Sequence, residues 1–343
     1  MRESISIGLI GIGYGQHVHI PAFRSDGRCC IVGICASTAD RAREVAARHA
    51  IPRAFGDWRE LLADPLIDAV SIAVPPALQA PIVLSAAAAG KHVFCEKPVA
   101  PCVDQARKML RAVEDACVVH AVDFIFPEIP AWQRARQILC SGELGSLRHV
   151  ALSWRVETYS YRANRDSWKL HREEGGGALN NFASHSLYYL EWLFGPIERV
   201  AGRLAPKGAV GDARVDAWVD FAEGVPGSLS VAADAFLGSG HRLEVYGEQG
   251  TLVLENRSAD HASGFVLAVG TRARGSLTPK LAEGPGDQGN DGRVAATAAI
   301  VRRFLDAITL GRRVTPSLTD GLRVQELIGA VRAADSGGCW QSV

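Results

Sequence analysis

The chain has 343 residues, more than one hydrophobic core usually organises, so two domains are expected. Lysine plus arginine and aspartate plus glutamate stand at 37 each and 48% of residues are hydrophobic, which excludes the electrostatic footprint of a nucleic-acid or acidic-membrane binder. A small-molecule partner is the reading that remains.

The start, MRESISIGLIGIGYG, lacks a basic lead and a cleavage site, so residues 5–10 are a first strand rather than a signal segment. A glycine-rich turn follows, then a helix over 17–25 in which Pro21 asks for a bend. CCIVGICAS (29–37) is a continuous apolar run, the pattern of a strand buried on both faces. Helical spacing covers 38–50 and 58–65, a third strand 67–76, and a helix 79–90 that ends at glycine. KHVFCEKP (91–98) is the fourth strand, 103–116 a helix and 117–124 the fifth strand. Five alternations predict a parallel sheet with right-handed crossovers, an N-terminal Rossmann domain over 1–122.

Over 123–343 the grammar changes. A helix at 131–141 leads into strand-like runs at 147–158, 197–205, 215–222, 228–236, 241–246 and 250–255, joined by short glycine-rich turns. Helices are expected at 183–194, 293–310 and 319–334, and the Gly-, Ser- and Asp-rich stretch 257–292 reads as loops. The whole is α/β, with a second, α+β domain on an antiparallel sheet. No apolar run reaches 18 residues, so no membrane span is expected. Eight cysteines without C-x-x-C pairs or metal-like histidine spacing fit a reduced, cytoplasmic setting and offer no metal site.

The turn at 8–17, GLIGIGYGQH, places Gly11, Gly13 and Gly15 between a strand and a helix. In dinucleotide sites one such glycine makes the tight turn, the next admits the pyrophosphate, and a third lets helix and strand pack. The third is expected at Gln16, so Gly15 comes one residue early; with Ile12 and Tyr14 these residues form the candidate cofactor turn. An acid at the end of the second strand would select NAD. The chain has Ser37, Thr38 and Arg41 there, which suits the 2′-phosphate of NADP, with NAD as the alternative. An N-capping hydroxyl beside a solvated arginine explains the same residues, and Asp40 complicates the charge.

Several blocks resemble the Gfo/Idh/MocA family of nicotinamide-dependent oxidoreductases. They are GIGYGQHVHIPAF (11–23), AVPPALQAPIVLSAAAAGKHVFCEKPVA (73–100), GELGSLRHV (142–150), GGGALNNFASHSLYYLEWLFGPI (175–197) and PSLTDGLRVQELIGAV (316–331). The resemblance implies a C-terminal domain whose large, open sheet mediates homodimers or homotetramers, and an active site between domains that acts on sugars, sugar nucleotides or cyclitols. It also implies catalytic roles for Lys97 and His185, a cis bond before Pro98, and Glu96 near the nicotinamide.

Hydride transfer at a carbinol carbon needs a group to move one proton and a group to stabilise the oxygen. A lysine released at the end of a parallel strand, and a histidine that titrates near neutrality, suit these tasks. The family's usual aspartate, four residues before that histidine, is Asn181 here, which cannot raise the basicity of His185 by charge. Val74, Pro75 and Gln79 are expected on the cofactor wall. Tyr161, Arg165, Trp168 and Lys169 are candidate substrate contacts, though a solvated loop with aromatic anchors reads equally well. His17 and His19 either line the cofactor site or pack the helix, and Phe126 and Glu128 are expected at a cleft. The alternatives are a redox-neutral epimerase or glycosidase with tightly held NAD, and a non-catalytic cofactor sensor.

Overall fold

Strand β1 (Ile5–Ile10) lies at the centre of a six-stranded parallel sheet, and its Ile7, Leu9 and Ile10 are at most 2% exposed. The computed structural model describes residues 4–163, 166–206, 211–282 and 291–343. Two compact units emerge, one of Met1–Ile125 with Arg293–Gln325 and one of Phe126–Gly292 with Glu326–Val343. The sequence suggests a single cut at 122/123. The structure instead returns Arg293–Gln325 to the first unit, a long-range reunion that local pattern does not encode.

The first unit adds β2 (Cys29–Cys35), β3 (Arg53–Phe55), β4 (Ala69–Ile72), β5 (His92–Cys95) and β6 (His120–Val122), in the order 3-2-1-4-5-6. The direction of winding reverses between β1 and β4, the switch point outside which ligands bind in such sheets. Three-residue β3, absent from the sequence reading, is an edge strand too short to show a period. Register then aligns the strand ends. Ile10 pairs with Cys35 and with Ile72, Ile72 with Cys95, and Cys95 with Val122. The next residue of each strand (Ala36, Gly11, Ala73, Glu96 and Asp123) therefore falls in one row along the carboxyl edge.

A wide π turn over Gly15–His19 runs into α1 (Ile20–Arg24), so the helix begins earlier than expected and Pro21 sits just past the widened turn, where the backbone already departs from the regular i→i−4 ladder. The remaining helices of the sheet are α2 (Ala39–Arg48), α3 (Trp58–Ala63), α4 (Pro76–Ala88) and α5 (Val103–Asp115). Helix α4 starts at Pro76, ahead of the expected 79, because a proline at the first helical position gives up only an N–H that has no intrahelical partner.

The second unit holds α6 (Pro130–Cys140), the short α7 (Tyr159–Arg162), α8 (Ser184–Phe194) and a nine-stranded sheet. Its strands are β7 (Leu147–Arg155), β8 (Ile197–Ala205), β9 (Arg214–Phe221), β10 (Pro226–Ala232), β11 (Gly240–Gly247), β12 (Gly250–Asn256), β13 (Val266–Thr271), β14 (Thr278–Ala282) and β15 (Gln341–Ser342). The order is 14-13-12-11-7-10-9-8-15, and every neighbouring pair is antiparallel except β7 and β10. Alternation shows its cause in β9, where Val215, Ala217, Val219 and Phe221 are buried while Arg214, Asp216 and Trp218 are exposed. Strands β13 and β14 lie in the stretch expected to be loops. Leu267 and Val269 carry a buried alternation too short to stand out beside the polar turns.

Helix α9 (Arg293–Leu310) lies in the first unit and α10 (Leu318–Gly337) spans the division. Among the described residues no helix is long and apolar enough to cross a membrane.

Candidate functional site

The carboxyl-edge row of the first sheet begins with Gly11, whose φ of +102° only glycine tolerates easily. A Cβ there would lie 2.1 Å from the Ala73 carbonyl oxygen. Gly13 is the opposite case: a Cβ would meet nothing within 4 Å, so its backbone lies open to close approach by a ligand. Gly15 takes the packing role expected one residue later, since a Cβ would lie 2.9 Å from Leu9 Cδ2. Gln16 instead accepts a hydrogen bond from Arg48 at 3.4 Å, and Ile12 is largely buried. An open backbone at Gly13 beside the switch point fits a dinucleotide phosphate.

At the end of β2, Thr38 Oγ1 caps α2 by accepting from the Arg41 amide at 3.3 Å, so the capping explanation holds for this hydroxyl. Ser37 and Arg41 are both exposed, and the guanidinium Nη1 donates to Ser37 Oγ at 3.0 Å. Asp40 pairs with Arg43 at 3.0 Å, which offsets the acid near this corner.

The other end of the row is a buried ionic cluster. Glu96 directs Oε1 at His19 Nε2, 2.8 Å away, while its Oε2 accepts the Lys97 amide at 3.2 Å. It therefore holds the backbone of Lys97, and its charge balances His19. The other nitrogen of His19, Nδ1, lies 2.7 Å from Ser71 Oγ on β4, and the ring is fully buried. Asp123 Oδ2 lies 3.6 Å from His19 Nε2, too far for a hydrogen bond, and accepts from Thr297 Oγ1 on α9 at 2.9 Å. Burial alone would lower the pKa of His19, but the two carboxylates outweigh it and push it up to about 9. One imidazolium between two carboxylates leaves one acid uncompensated. Glu96, the nearer, sits below its ordinary range because contact with His19 overcomes burial; Asp123 sits above, through burial and then the Glu96 charge.

Tyr14 closes the cluster, its ring edge-on to His19 at 5.3 Å and beneath the Arg293 guanidinium at 4.8 Å. Burial, then the charges of Asp123 and Glu96, hold its phenol well above the usual range. The Tyr14 ring thus packs on His19, while the residue as a whole is half-buried on the turn where the sequence suggested a cofactor contact. His19, read as either a cofactor neighbour or a packing residue, is an ionic partner of Glu96. Asp123, Ser71 and Thr297 were not singled out from sequence, and only the register of β5 with β6 reveals Asp123.

The His19, Glu96 and Asp123 ligand atoms lie within 4.8 Å of one another, a spacing a metal ion also uses. Here the direct 2.8 Å contact and the Ser71 and Thr297 hydroxyls already serve these groups.

Lys97 is half-buried just past β5, and its bond to Pro98 is cis. Gln79, on α4, is fully buried and donates from Nε2 to the Pro98 carbonyl at 2.8 Å, so it braces this segment from behind. Its Oε1 is buried with no hydrogen-bond partner among the described residues. Val74 and Pro75 are half-buried beyond β4, and Pro75 forms the cap position of α4.

In the second unit, Asn181 lies on a π turn over Leu179–Ala183, and Nδ2 donates to the Gly177 carbonyl at 2.9 Å. An aspartate could not donate there, a local reason for the amide. His185, in the first turn of α8, is 7% exposed and packs edge-on to Phe126 at 4.9 Å. Phe126, expected at a cleft, is instead 1% exposed and the hub of an aromatic core that includes Trp132, Trp154, Tyr189 and His241. Glu128 is half-buried beside it in sequence. Tyr161 on α7 is half-buried. Trp168 and Lys169 share a short helical turn, with Nζ 6.0 Å from the indole centroid. Arg165 lies outside the described residues.

Residues 5–124 match the family model described as an oxidoreductase family with an NAD-binding Rossmann fold, and 132–253 match the GFO/IDH/MocA C-terminal domain. An uncharacterised oxidoreductase of Synechocystis sp. is 32% identical, covering 99% of this chain and 96% of its own. Levoglucosan dehydrogenase of Pseudarthrobacter phenanthrenivorans is 27% identical, covering 99% and 98%. The solved complex of levoglucosan dehydrogenase with NADH and levoglucosan superposes with a TM-score of 0.88 at 26% identity over 99% of both chains.

Proposed function

Because the chain belongs to the Gfo/Idh/MocA family of NAD-binding oxidoreductases, we propose that it moves a hydride between NADP, in preference to NAD, and a carbinol or keto carbon of a sugar, sugar nucleotide or cyclitol. The observation that carries this reading is Lys97, released at the carboxyl edge of a sheet whose switch point bears the open Gly13 backbone, with its amide fixed by Glu96. Relatives named for levoglucosan, D-xylose and 1,5-anhydro-D-fructose support a cyclic polyol or its ketone as substrate.

The nicotinamide, when bound, accepts or supplies the hydride. The ammonium of Lys97 stabilises the substrate oxygen as its charge develops; Lys97 and His185 share the proton exchange, with Lys97 carrying more of it because Asn181 cannot raise the basicity of His185 by charge. Asn181, Tyr161, Trp168 and Lys169 are the substrate contacts this reading assigns. Ser37 and Arg41 receive the 2′-phosphate.

Protein-fluorescence titration with NADPH and NADH tests the cofactor choice. NADPH is expected to bind more tightly, and Arg41→Ala to weaken it about ten- to a hundredfold, the scale of a charge-assisted hydrogen bond, while leaving NADH unchanged. Equal or tighter binding of NADH by the unaltered chain would overturn the NADP preference.

A further inference from the structure

The buried pair formed by His19 and Glu96 lies one residue from the lysine assigned to the reacting oxygen, and nothing in hydride transfer itself requires it. We propose that His19 is a positioning residue for Lys97: held between the carboxylates of Glu96 and Asp123, it orients Glu96 so that the second carboxylate oxygen clamps the Lys97 amide at the mouth of β5. The functional half of this inference rests on the reading of Lys97 given above; the clamp itself does not.

Four elements build the device. The turn after β1 supplies His19, β4 supplies Ser71, the end of β5 supplies Glu96 and the end of β6 supplies Asp123. A carboxylate free to rotate has no reason to keep one oxygen on the amide of the next residue. With Oε1 fixed at 2.8 Å from His19 Nε2, Oε2 is left directed at the Lys97 N–H, 3.2 Å away. Ser71 at 2.7 Å fixes the ring from its far side, so the orientation passes from β4 through the imidazole to the backbone of Lys97.

Charge matters as well as direction. The groups facing the imidazole are Glu96, Asp123, Ser71 and Tyr14, with Arg293 over the Tyr14 ring, Thr297 on Asp123, and Lys97 acting on Glu96. Loss of the imidazolium proton would leave two carboxylates facing each other in a buried site, and one would protonate or turn away. The folded pKa of His19 lies above its ordinary value, so its contribution is complete below about 6.5 and disappears as the pH rises through about 9. The clamp therefore loosens in alkali.

Histidine-selective 15N NMR of the full chain at pH 7.5 is expected to show His19 doubly protonated, with a transition near pH 9. In hydrogen-exchange mass spectrometry, His19→Gln keeps one donor toward Glu96 but no charge, and is expected to raise exchange at the Lys97 amide about tenfold. His19→Asn, which is too short to reach, is expected to raise it further. Under the Lys97 reading, kcat falls about ten- to a hundredfold in His19→Gln with KM for cofactor unchanged, and the loss of kcat as the pH rises through about 9 disappears. A neutral His19 at pH 7.5, unchanged exchange at Lys97 in both variants, or one equivalent of Zn2+ bound by the unaltered chain and lost in His19→Gln would each overturn the proposal. If exchange changes and Lys97→Met retains turnover, the clamp stands and the catalytic reading of Lys97 is what fails.

Discussion

Lys97→Met is expected to reduce turnover on the order of a thousandfold while leaving cofactor affinity within about twofold, the scale on which acid–base and charge-stabilising groups act. Methionine keeps the length and apolar stem of lysine but lacks the ammonium. The backbone clamp does not involve the side chain, so Glu96 retains its partners His19 and the residue-97 amide. A lysine that merely balanced Glu96 would show a different result: a lower melting temperature with turnover largely retained. Lys97→Arg is expected to restore charge without restoring the rate, because guanidinium does not give up its proton and spreads its charge over a plane where lysine offers a compact ammonium. Steady-state kinetics with saturating cofactor separates these cases.

The second large effect concerns the fold. Gly11→Ala puts a methyl 2.1 Å from the Ala73 carbonyl oxygen at a φ of +102°. Both the left-handed backbone and the collision with main chain oppose it, and neither neighbour is a flexible side chain that can swing aside. The expected cost is about 3 kcal/mol, or a melting temperature lower by roughly 10 °C for a unit of this size. Scanning calorimetry that found Gly11→Ala as stable as the unaltered chain would contradict the tight-turn geometry at the switch point.

The parallel half was legible because largely buried strands such as β1, β2 and β4 are mostly apolar runs punctuated by helices. The edge strand β3 was not, since three half-exposed residues leave no pattern to detect. In the second half, β7 showed partial alternation and β8 to β12 stood out as strand-like runs between short glycine-rich turns, but β13 and β14 were hidden by polar turns around them. The glycine turn was found from spacing, yet the assignment of roles needed coordinates: a π turn made Gly15, and not Gln16, the residue against Leu9. Glu96 is the clearest case of partial legibility. The motif set it beside Lys97, but its 2.8 Å contact with His19, brought in by the turn after β1, had no local signal. Asp123 entered the cluster only through the pairing of Cys95 with Val122, a fact of register that no local motif carries.

Hydride transfer by this chain requires a dinucleotide lying across the open backbone at Gly13. Fluorescence titration of NADPH into the unaltered chain and into Gly13→Val, with melting temperatures measured alongside, tests that claim. Saturable binding that is lost in the variant, at an unchanged melting temperature, is the predicted result. Equal affinity in both proteins, or no binding by the unaltered chain, would contradict it.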